Sequence, residues 1–120
     1  MAAQTDFWGE LGIGQIKSPV SILREQAALL GKKTKNLVEA RVETNTFHGE
    51  FIHAFNIVVP ALDYAYELFT IQHGVNIYPI AVPFQSRTLA NEEEFQRWLQ
   101  ERLSSPETKK VISNLLAQVE

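Results

Sequence analysis

Cysteine is absent from this chain of 120 residues. That excludes disulfides, thiolate metal ligands and a cysteine nucleophile together, and it fits a cytoplasmic setting. Positive charge is scarce as well: 11 Lys and Arg stand against 14 Asp and Glu, a formal net charge of −3. An extended nucleic-acid face needs clustered Lys and Arg to meet phosphates, so no nucleic-acid partner is expected. The one basic cluster, Lys32-Lys33-Thr34-Lys35, falls in a helix-to-strand connection and reads as a solvated loop whose charge favours the helix C-terminus. Long hydrophobic runs are missing too, with no stretch near the roughly 18 consecutive apolar residues of a membrane span. Met1 to Gly14 carries no basic segment followed by an apolar run, so it does not read as a signal peptide. No helical segment pairs a strong apolar face with a basic one, so no membrane partner is expected.

What is present is ordinary globular material. Apolar residues make up 45% and charged residues 21%, which argues against both disorder and a coiled coil. No repeat, low-complexity tract or linker divides the chain, and residues 1–120 read as a single domain with one core.

Helix signals lie at both ends. Ser18 can cap a first helix, Pro19 suits its first turn, and Gly31 can end it in a left-handed conformation. Val20, Leu23, Ala27 and Leu30 then form one apolar stripe. Asn91 followed by Glu94 resembles a capping box, ahead of a stripe of Phe95, Trp98, Leu99 and Leu103. Ser104-Ser105-Pro106 ends that helix and starts a third, with Val111, Leu115, Leu116 and Val119 on one side.

Between Asn36 and Phe84 the period changes to two, and β-branched and aromatic residues become dense. Four strands are expected near 37–44, 47–59, 64–72 and 75–82, joined by short connections into an antiparallel meander. Asn45-Thr46 serves as the first turn, Pro60 to Asp63 as the second and His73-Gly74 as the third. The fold class is therefore α+β: a four-stranded antiparallel meander with one N-terminal and two C-terminal helices packed on it.

The first turn sets Arg41 opposite Glu50 and Glu43 opposite His48. The second sets Phe55 opposite Leu68, Ile57 opposite Tyr66 and His53 opposite Thr70. His53 then lies on the apolar face between Phe51 and Phe55. It reads either as a core histidine bonded to a hydroxyl or, with Tyr66 and Thr70, as a ligand-binding pocket holding a general base. The core reading is preferred. No catalytic set is assigned, because Asp63 is the only aspartate near the sheet. His48 and Glu50, with Glu43 and His73 toward the same end, have side chains of the kind that hold a divalent metal, but such pairs are common by chance. They read as a hydrated, salt-bridged surface; no metal and no cofactor are expected.

On the second face this register gathers Ile52, Phe69, Ile71, Tyr78 and Ile80, too many large apolar groups for a solvated surface. The resulting expectation is a non-enzymatic interaction or accessory module, a homodimer or the binder of a protein partner, using that face. The alternative is a small-ligand binder or enzyme with a pocket around His53, Tyr66 and Thr70.

Overall fold

Both terminal signals around the first helix act, though the helix runs further than its glycine suggests. In the computed structural model, which describes residues 5–12 and 16–119, helix α1 spans Pro19–Lys33, and the Ser18 hydroxyl accepts a hydrogen bond from the Ser21 N–H at 3.2 Å. Gly31 is not the terminator. It is buried within α1, and a Cβ there would stand 3.1 Å from Asn36 Oδ1. The helix ends at Thr34, whose N–H and hydroxyl both donate to the Leu30 carbonyl, and Lys35 and Asn36 take the positive φ that reverses the chain.

The chain then enters a five-stranded antiparallel sheet in the order β1-β2-β3-β4-β5, with β1 at Glu39–Phe47, β2 at Glu50–Val59, β3 at Tyr64–His73, β4 at Ile80–Val82 and β5 at Arg87–Leu89. Helices α2, Glu92–Leu103, and α3, Pro106–Val119, close the chain. The Asn91 side chain accepts from the Glu94 N–H at 2.9 Å, while the Glu94 carboxylate accepts from the Ala90 N–H at 2.6 Å, so the capping box forms one residue wider than its simplest version. The α+β class and helix order are as expected, with one strand more.

That fifth strand follows a second copy of the turn that the sequence showed once. Val59-Pro60-Ala61-Leu62-Asp63 and Val82-Pro83-Phe84-Gln85-Ser86 each make a short 3-10 turn, closed by Asp63 at φ 49° and Ser86 at φ 48°. Proline presets the turn's first φ and a small polar residue tolerates the left-handed exit.

Two registers differ from expectation. The β1–β2 turn is His48-Gly49, with φ of 48° and 80°, in place of Asn45-Thr46. Arg41 therefore pairs with Asn56 and Glu43 with Ala54, not with Glu50 and His48. Gly49 explains the choice, since a two-residue hairpin turn of this kind needs positive φ at both positions. The slip moves the pairing sum from 91 to 97 (41 + 50 against 41 + 56), an even change that leaves every side chain on its expected face.

The second difference does change faces. Asn56 pairs with Glu67 and Ile57 with Tyr66 as expected, but a β-bulge leaves Leu68 without a partner, and beyond it Phe55 meets Phe69 and His53 meets Ile71. One unpaired residue inverts the rest of β3. Phe69, Ile71 and His73 thus join Phe55 and His53 on the core face. Because Gln72 pairs with Ala81, Ile80 and Val82 share that face. The core is one cluster of Phe55, Phe69, Ile71, Ile80 and Val82 with Ile22, Leu23 and Ala27 from α1, Phe95, Trp98 and Leu99 from α2, and Leu115 from α3. Phe51, expected within it, is 37% exposed at its margin. All three helices cover this one side. The opposite side carries Arg41, Glu43, Asn56, Glu67, Thr70 and Gln72 among Ile52, Ala54 and Ala81, the composition of a solvated face.

Candidate functional site

His53 does not line a pocket with Tyr66 and Thr70. The bulge turns Thr70 to the opposite side of the sheet, where it pairs with Ala54 and its hydroxyl donates to Glu67 at 3.1 Å. Tyr66 stays on the His53 side but lies at the far end of β2–β3, opposite Ile57 and 39% exposed. The hydroxyl that His53 meets is Thr44, directly across β1, with Oγ1 2.9 Å from Nδ1.

The other ring nitrogen of His53 meets His73, Nε2 to Nε2 at 2.9 Å, and both imidazoles are buried. His73 Nδ1 lies 2.8 Å from the Gly74 carbonyl oxygen. These contacts dictate where the hydrogens sit. A carbonyl only accepts, so His73 Nδ1 carries a hydrogen and, in the neutral ring, Nε2 is the acceptor. His53 must then donate from Nε2 and accept at Nδ1 from the Thr44 hydroxyl. The chain Thr44 to His53 to His73 to Gly74 is a single directed relay with every ring nitrogen engaged.

Charge is unwelcome in this relay. Burial, then the neighbouring His73, then the Arg24 guanidinium lower the His53 pKa from its ordinary 6.5 to about 4. Phe51 stacks on His73 with ring centroids 5.5 Å apart. No ring nitrogen is left to face a substrate, so the pair ties β1, β2 and β3 together at the end of the sheet. His73, expected in a turn, is a strand residue; a loop from Gly74 to Pro79 follows it, and β4 begins only at Ile80.

The other expected positions separate in the same way. Phe69, Ile71 and Ile80, read as an interface, are core residues at 7%, 0% and 0% exposure. Tyr78 is half-buried at the core margin, its hydroxyl without a hydrogen-bond partner and its pKa raised by burial and by Glu92. Ile52 alone of that set lies on the second face. His48 occupies the hairpin turn, its ring edge-on to Phe47, so His48 and Glu50 do not alternate along one strand. Among the described residues no three His, Asp or Glu side chains converge as metal ligands, and no helix is long and apolar enough to cross a membrane.

Beside the single exposed Phe84 and Val75, exposed apolar side chains gather before α1. Residues 5–12 form no helix or strand. The Asp6 carboxylate accepts from the Trp8 N–H at 2.8 Å, and Gly9 has φ 66°, so Phe7 and Trp8 sit in a local turn. Phe7 is 91% exposed, Trp8 79%, Leu11 62% and Ile16 69%. The adjacent Phe and Trp, without helical or alternating apolar neighbours, are the sequence signal that strand and helix patterning passes over. Between α1, α2 and α3 runs a groove of about 710 Å³ with Ile22, Leu99 and Leu103 as its apolar lining and Lys17, Lys33 and Lys109 among its charged residues. Comparison with protein-family models, curated proteins and solved structures finds no match to this chain.

Proposed function

We propose that this protein is a non-enzymatic interaction module that engages a protein chain, either a second copy or a partner, through exposed apolar side chains. The observation that carries this reading is the adjacent pair Phe7 and Trp8, held in solvent at 91% and 79% exposure. Aromatic side chains bury on the order of 150–250 Å² each when covered, and Trp is enriched among the residues that dominate binding. The contact surface assigned here is this N-terminal segment and not the sheet face of Ile52, Phe69, Ile71, Tyr78 and Ile80, most of which is core. An enzyme or small-ligand pocket around His53, Tyr66 and Thr70 draws less support, because the three do not line one wall and His53 has no free ring nitrogen.

The test is photo-crosslinking in cells with p-benzoylphenylalanine at position 8, against a control at the equally solvent-facing Val75. Position 8 is expected to yield a discrete protein adduct that position 75 does not. Equal or absent adducts at both positions would remove the reading.

A further inference from the structure

Building on that interaction reading, we infer that the partner is a second copy of the chain: the segment around Phe7 and Trp8 of each protomer docks in the α1–α2–α3 groove of the other. Two surfaces of opposite chemistry exist on one molecule. The segment from Asp6 to Leu11 alternates acid with bulk, Asp6 and Glu10 flanking Phe7 and Trp8. The groove offers Leu103 and the aliphatic stems of its lysines, while Ile22 and Leu99 form an already buried floor. Lys17 is already paired with Glu25 at 2.9 Å, but among the described residues neither Lys33 nor Lys109 has a carboxylate within ion-pair distance. An acidic aromatic segment therefore matches the charge as well as the polarity of the groove.

Length agrees: Lys17 precedes α1 and Lys33 ends it, so the groove follows the helix for about 24 Å at 1.5 Å per residue, and a segment turned at Gly9 is shorter than the roughly 20 Å of six extended residues. Docking takes the exposed side chains of Phe7 and Trp8 out of water on both protomers. Each protomer gives one segment and receives one, so the exchange closes at two copies. Docking onto the protomer's own groove is not what the structure holds, since there Phe7 and Trp8 lie in solvent and line no part of it.

Sedimentation velocity on the full chain over a concentration series tests this with two variants. Phe7→Ser/Trp8→Ser disables the segment and leaves the groove; Lys33→Glu/Lys109→Glu reverses the groove and leaves the segment. Both pairs of changes are at exposed positions, and circular dichroism with thermal melting verifies that both variants fold. The wild type is expected to be a dimer, weakened about thirtyfold or more by the first variant and about tenfold by the second. An equimolar mixture of the two variants should associate better than either alone, because it restores one intact segment opposite one intact groove. A wild-type monomer, including one whose segment folds onto its own groove, overturns the inference, as does a dimer that both variants preserve or a mixture that gains nothing. If crosslinking at position 8 traps only a different protein, the interaction reading stands and this assignment of the partner falls.

Discussion

His53 and His73 meet through their Nε2 atoms at 2.9 Å, with no carboxylate in the relay to stabilise a positive charge. The folded protein therefore holds His53 neutral down to a pKa of about 4, whereas the unfolded chain protonates it near 6.5. Between those values the unfolded state binds more protons, so the stability that His53 supports is complete above about pH 6.5 and is lost progressively as pH falls toward 4. At 1.36 kcal/mol per pH unit, the loss amounts to about 3 kcal/mol at most. Urea unfolding at a series of pH values from 7.5 to 4 should show this slope, and His53→Gln should flatten it while lowering stability at pH 7. An identical slope in the variant would assign the acid sensitivity to another group.

The bulge in β3 is the element on which the fold's assignment of faces turns. Leu68 has no partner on β2, and its carbonyl accepts instead from Arg102 Nη2 at 3.0 Å, while Nη1 of the same guanidinium donates to the Thr108 hydroxyl at 3.0 Å. One arginine at the end of α2 thus satisfies the strand's orphaned acceptor and fastens the start of α3. Arg102→Met keeps the aliphatic stem and removes both donors, which should cost about 1–3 kcal/mol, the penalty for leaving a sheltered acceptor unmet. Arg102→Lys should recover only part of that, because a single ammonium does not reproduce the two-pronged geometry. Denaturant midpoints for the three proteins would order them Arg, Lys, Met; a Met variant as stable as the wild type would show that water serves the Leu68 carbonyl equally well.

Across the whole molecule, one sheet face carries all three helices and the other carries mixed polar groups. Phe69 sits at the centre of the packed side, stacked on Phe55 at 5.1 Å and edge-on to Trp98 at 5.0 Å. Phe69→Ala should therefore destabilise the fold by about 3–5 kcal/mol, the range for an emptied aromatic site. Phe7→Ser/Trp8→Ser, altering only exposed side chains, should leave the unfolding free energy within about 0.5 kcal/mol per site. Calorimetry on dilute protein separates the two, because the buried and the exposed aromatics are different sets. A Phe69 variant that dissociated an assembly without losing its melting temperature would return that residue to the surface.

Local chemistry was sufficient to read the helix order, the Ser18 and Asn91 caps, the Pro60 turn and the faces of β1 and β2 from the sequence, because each depends on neighbours within a few residues or on a period of two that survives an even slip. The fifth strand was legible in principle, since Val82-Pro83 repeats the turn chemistry of Val59-Pro60, but three residues between turns carry too little alternation to stand out. Which His-Gly pair turns and which places its histidine in the core is not a local matter: both dipeptides suit a hairpin, and His73 remains in its strand because His53, twenty residues away, receives its ring. Nor could alternation reveal the bulge, whose extra residue looks like any other leucine and whose freed carbonyl is met by a guanidinium 34 positions later. The sequence by itself determined the three helices, the first three strands and how β1 and β2 divide their side chains. Only the tertiary structure decided which face of the sheet receives Phe69, Ile71 and Ile80, because parity beyond an unpaired residue is set by long-range hydrogen bonds and packing, not by the order of the residues that obey it.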